Sequence, residues 1–133
     1  MPKLNPTPFI TRLRPEALVP SVASSGERLG AQFDVSRAAG FEKLRVSFDR
    51  VPPGARQSLP HAHSTREELL YVLKGSGTLV AGEESWPVEA GDLVCLRPGD
   101  DALHTLVNRS EEDLDLLIVS SEDGLDEVRF GPR

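Results

Sequence analysis

The chain has 133 residues, a net charge of -6 and an apolar content of 38%, enough for one core and too short for two ordinary domains. The acidic balance, with a pI near 5.0, argues against nucleic acid or an anionic membrane surface as the main partner. The longest apolar run, Leu69-Leu70-Tyr71-Val72-Leu73, is far short of a membrane span, and the stretch from Met1 to Pro6 lacks the apolar segment of a secretory signal, so a cytoplasmic location is expected.

In chain order, residues 1–28 hold Pro2, Pro6, Pro8, Pro15 and Pro20 and read as an irregular arm with at most one helical turn near Glu16 to Leu18. Strand signals then run through residues 29–121, the expected domain. Leu44, Val46 and Phe48 alternate with Arg45, Ser47 and Asp49, as in a half-buried strand, and Pro52-Pro53-Gly54 ends it. Apolar runs at Glu68 to Lys74 and Thr78 to Ala81 flank Gly75-Ser76-Gly77, and Gly82 to Ser85 reads as a hairpin turn. Leu93 to Leu96, Leu103 to Val107 and Leu114 to Val119 follow, separated by turn residues. Short, evenly spaced strands of this kind predict an all-β sandwich or barrel. Residues 122–133, beginning Glu122-Asp123-Gly124-Leu125-Asp126-Glu127, read as a solvated C-terminal tail.

The chemistry of the sequence lies in its three histidines. His61 and His63 are two apart, so on a strand both rings leave the same face. Glu67 and Glu68 follow, and His104 opens a later strand that would lie beside the first in a closed sheet. Imidazole nitrogens with one carboxylate form a mixed donor set suited to a divalent transition metal. Taken alone, His-x-His is also common on surface strands and in hydrogen-bonded cores.

The run from Gly54 through His61, His63, Glu67, Glu68 and Tyr71 to Gly75 resembles the first signature of the cupin superfamily. The stretch from Gly91-Asp92 through Pro98-Gly99 to His104 and Asn108 resembles the second. The closest likeness is to small single-domain cupins of the conserved-barrel kind. This resemblance implies a double-stranded β-helix (jelly-roll) barrel behind the irregular arm. It also implies one divalent ion (Zn, Fe, Mn or Ni) held by His61, His63, Glu68 and His104. Glu68 takes the glutamate place because six residues separate it from Gly75, as in the family. A continuous strand would instead put Glu67 on the face of His63, so Ser64-Thr65-Arg66 must form a loop that resets the register. Two departures fall near the barrel mouth: Arg97 stands where the family usually has proline, and the loop before His104 is longer.

The function so implied is a metal-dependent enzyme on a small organic substrate, of dioxygenase, isomerase or epimerase, or lyase type. A non-catalytic small-molecule binding or sensing module is the alternative. Glu67 is a candidate general base should it face the cavity. Arg45, Arg56, Gln57, Arg66 and Arg97 could meet an anionic substrate, and each is equally readable as a solvated side chain. Cys95, Tyr71 and Trp86 read as packing residues, Asn108 as a tie on a strand end, and a homodimer is the family expectation.

Overall fold

A computed structural model of the chain describes residues 9–21, 28–99 and 103–131. Parts of the expected arm, and Asp100 to Ala102 of the mouth loop, lie outside the described residues. A short helical turn at Pro15–Ala17 falls where the arm was expected to hold one. The strands are β1 (Ala31–Asp34), β2 (Leu44–Val51), β3 (His61–His63), β4 (Glu68–Lys74) and β5 (Ser76–Ala81). They continue as β6 (Glu84–Glu89), β7 (Leu93–Leu96), β8 (His104–Val107), β9 (Leu114–Ser121) and β10 (Val128–Phe130). One five-residue helix, α1 (Val35–Ala39), starts where the Asp34 carboxylate accepts the Arg37 N–H at 3.1 Å.

The strands form two five-stranded sheets, ordered β1-β2-β9-β4-β7 and β10-β3-β8-β5-β6. Every strand pair is antiparallel. The all-β expectation holds. One half of the space between the sheets is apolar and closed: Val51, Val72, Leu106, Leu114 and Leu116 are at most 1% exposed. Each such side chain stabilises the fold by roughly 1.5–3 kcal/mol. Asn108 fastens this end, its amide donating to the Val51 and Glu112 carbonyls at 2.8 and 2.7 Å. Gly75, between β4 and β5, has φ +86° and lies so close to the Asp113 carbonyl that a Cβ would collide with it.

The other half of the interior is polar, and β2 shows why. Val51 joins the core beside Leu114, so Asp49, Ser47 and Arg45, which share its parity, also point between the sheets. The apolar members Leu44, Val46 and Phe48 face outward, where Phe48 meets Phe33 edge-on at 5.7 Å. The amphipathic strand thus turns its polar side inward.

Three readings need correction. The segment after Ser121 is no tail: β10 pairs with β3, setting Val128 opposite His63 and Phe130 opposite His61, and so covers an edge that would otherwise stand open. Cys95 is exposed on β7, because its neighbour Val94 takes the inward place. Tyr71 and Trp86 are 36% and 45% exposed, so neither is a core residue.

Candidate metal centre

His61, His63 and His104 are all buried between the sheets. His61 in β3 stands directly across from His104 in β8, and their ring centroids are 4.8 Å apart. Ser64 to Glu67 form the loop that the sequence requires, and β4 then begins at Glu68 with its side chain turned inward. Ligand atoms of His61, Glu68 and His104 lie within 4.8 Å of one another. Donors bonded to one ion at about 2.1 Å span at most roughly 4.2 Å, so a closure of about half an ångström would bring them onto a common centre.

Hydrogen bonds behind the rings decide which nitrogens face the centre. His61 Nδ1 lies 2.9 Å from the Leu59 carbonyl oxygen. That oxygen only accepts, so Nδ1 carries the proton and Nε2 is left as the donor to a metal. His63 Nδ1 lies 2.7 Å from Asp126 Oδ2, which fixes the same tautomer. His63 Nε2 then points at Glu68 Oε2 across 3.6 Å. That separation is one that two ligands of a single ion can span. His63 stands outside the group of three and meets it through Glu68.

Asp126, expected in a solvated tail, has a side chain only 4% exposed. Burial pushes its carboxyl up, but the Thr65 N–H, His63 and the Arg66 N–H outweigh burial and hold it well below the usual carboxylate range. A permanent negative charge behind His63 strengthens that ring as a donor. Asp126→Asn is expected to weaken metal binding by about 10–100-fold in a chelator competition titration; unchanged affinity would show the pair to be structural only.

Glu67 is exposed and does not line the cavity, so it is not placed as a base. The cavity beside the centre has a volume of about 270 Å³. Gln32, Asp34, Ser47, Gln57 and Ser120 supply polar lining, while Ile118, Val128 and Phe130 supply apolar lining. Two of the five residues that could meet an anion by sequence, Arg45 and Arg66, stand at its mouth, and both pair with Glu122, at 3.6 and 3.1 Å. Gln57 lines the cavity as well.

Sequence reasoning missed Asp49, which is 1% exposed behind this lining. Burial drives its carboxyl up to about 6, opposed by hydrogen bonds from Ser47, Gln57 and Gln32 and reinforced by the Glu68 charge. Between about pH 4 and 6 the folded protein thus holds a proton that the unfolded chain has lost, and stability from this group falls as pH rises through that window. In the metal-free protein, Asp49→Asn should gain stability relative to the parent by up to about 3 kcal/mol on going from pH 4 to pH 7.5, read by urea denaturation. A difference independent of pH would contradict this.

Residues 47–120 match the family model of the cupin domain. The chain is a cupin. Among solved structures, this cupin is similar to a sugar phosphate isomerase of the cupin superfamily from Silicibacter pomeroyi, with TM-score 0.81 and 23% identity over 92% of this chain and 82% of that one. A candidate sugar phosphate isomerase from Acidithiobacillus ferrooxidans gives TM-score 0.70 and 28% identity over 76% of this chain and 64% of the other. The polyketide cyclase RemF from Streptomyces resistomycificus gives TM-score 0.77 and 20% identity over 93% and 87% of the two chains. An uncharacterised protein of Methanocaldococcus jannaschii is 38% identical over 48 residues, which cover 36% of this cupin and 38% of that protein. The match therefore spans about two-fifths of that curated relative. The solved neighbours carry the names of an isomerase and a cyclase, so the fold leaves the reaction open. No helix among the described residues is long and apolar enough to cross a membrane.

Proposed function

We propose that this cupin is a metal-dependent isomerase that moves a proton between neighbouring carbons of a small hydroxylated substrate bearing an anionic group. The observation that carries this reading is the cavity itself. His61, His63 and Glu68 line it together with a polar wall that includes Arg45 and Arg66, and His104 clusters with His61 and Glu68 behind it. The likeness to the candidate sugar phosphate isomerase from Acidithiobacillus ferrooxidans, at 28% identity, supports the same class. A bound divalent ion would supply Lewis-acid polarisation of a substrate oxygen. His61, His63, Glu68 and His104 would hold it; Zn, Fe, Mn and Ni all accept this donor set.

Chain residues then divide the remaining work. Arg45 and Arg66 draw the anionic group to the mouth, competing with Glu122 for it. Gln57, Ser47 and Gln32 face the hydroxyls, and Val128, Phe130 and Ile118 offer the carbon skeleton an apolar wall. Of the lining carboxylates among the described residues, Asp34 is the one outside the histidine cluster, and it is the residue we assign to carry the proton.

Incubation of metal-loaded protein in D2O with aldose and ketose phosphates tests this by NMR. Deuterium at the carbon next to the carbonyl, lost in Asp34→Asn, is the expected result. Tight binding without any exchange would overturn the isomerase reading in favour of a non-catalytic binding module. We further propose a homodimer. Leu44, Tyr71, Leu73 and Leu93 leave an apolar stretch on the outer face of the β2-β9-β4-β7 sheet, each 36–58% exposed. Sedimentation should show a dimer at micromolar concentration, and monomer alone would refute it.

A further inference from the structure

Asp49 stands behind the cavity wall and not in it, yet everything it binds is in the wall. Its Oδ2 accepts from Gln57 Nε2 at 3.2 Å and, more loosely, from Gln32 Nε2 at 3.5 Å. Its Oδ1 accepts from the Ser47 hydroxyl at 2.9 Å. Gln57, Gln32 and Ser47 all line the cavity, whereas Asp49 does not. The next inward position on this strand, Val51, is a fully buried core residue. An apolar side chain at 49 would fill the space without the cost of a buried carboxylate.

The chemical consequence lies in the glutamines. A side-chain amide can present either its NH2 or its carbonyl to a ligand, and an isolated glutamine is free to do both. An ionised carboxylate only accepts. Facing Asp49, each amide must turn its NH2 inward, and the planar group then carries its carbonyl oxygen on the opposite side, toward the cavity. We propose that Asp49 is a positioning residue that makes Gln57, with Gln32 at the rim, a pair of hydrogen-bond acceptors for substrate hydroxyl groups. The same contact removes the Ser47 proton from the cavity and leaves its oxygen lone pairs there. The wall so built reads O–H donors, and a ligand lacking one of them leaves a desolvated carbonyl unpaired. The role of Asp49 stands on its own geometry, and only the choice of a phosphorylated sugar as probe rests on the proposed function.

Titration calorimetry on the Zn(II)-loaded full chain, with D-ribose phosphate and its deoxy analogue lacking one hydroxyl, tests the proposal. The parent is expected to favour the hydroxylated probe by about fivefold to tenfold, the worth of one hydrogen bond at a site that cannot otherwise satisfy its acceptor. Asp49→Asn should bind the deoxy probe as the parent does while its preference falls toward unity, because an asparagine amide no longer dictates how Gln57 is turned. A merely structural role would shift both affinities together and leave the ratio intact. Gln57→Met, which keeps Asp49 and removes the carbonyl, should show the same loss of preference and guards against a folding defect at position 49. An unchanged ratio in either variant would overturn the proposal, as would a parent that binds neither probe or fails to distinguish them. Preference without turnover in the solvent-exchange assay supports the positioning role and overturns the isomerase reading alone.

Discussion

His104→Ala is expected to lower divalent-metal affinity by more than about 100-fold, beyond the loss that follows from disturbing a residue behind a ligand. The reason is geometric. His104 is the only member of the group contributed by β8, and it stands directly across from His61 in β3. Without it the remaining side chains approach from β3 and β4, leaving one side of the site without a donor. The substitution removes a ring at a buried place but leaves Leu106, the core residue of the same strand, untouched. The metal-free variant should therefore melt near the metal-free parent, while the rise in melting temperature that metal gives the parent disappears. Elemental analysis of untagged protein, after loading and dialysis, reads the first effect. Undiminished metal in the variant would mean that the ion is held elsewhere.

Leu116→Ala should cost about 2–5 kcal/mol, a large share of the 5–15 kcal/mol typical of a domain. Leu116 is 0% exposed on β9, the central strand of its sheet, paired with Asp49 on one side and Val72 on the other. Removing its branched end leaves a cavity where neither neighbouring strand can collapse without breaking a ladder. The loss should appear as a lower urea midpoint with little change in slope. Leu125→Ala provides the contrast: Leu125 is 72% exposed in the segment between β9 and β10, and its truncation should stay within about 0.5 kcal/mol. Equal effects at the two positions would contradict the assignment of the core.

The strands that carry the histidines were readable because their signals are local. His-x-His fixes a shared face at once, and the resemblance to the cupin signature, with six residues between glutamate and glycine, implies Glu68. The loop at Ser64 to Glu67 follows from the parity conflict that would otherwise turn Glu68 away, and the structure has that loop. Asn108 was legible for the same reason, since a polar residue ending an apolar run needs backbone partners.

What could not be read depends on contacts distant in sequence. Asp126 reaches His63 across 63 positions, and nothing in an acidic run distinguishes the one carboxylate that folds back from those that stay in solvent. Strand β10 is only three residues long, too short for an alternating pattern to announce it. For β2 the alternation was plain but its sense was not. An apolar face is expected to point at a core, yet here the polar face lines the cavity and Phe48 is covered by Phe33 from outside. The signal that could have found Asp49 is its parity with Val51, once Val51 is known to be buried.

Anomalous diffraction from a crystal of the metal-loaded protein tests the proposal that His61, His63, Glu68 and His104 hold one divalent ion. A single peak is expected within coordination distance of His61 Nε2, His63 Nε2, the His104 ring and the Glu68 carboxylate, with Asp126 still bonded to His63 Nδ1. A peak elsewhere, or none at this centre in fully loaded protein, would contradict it.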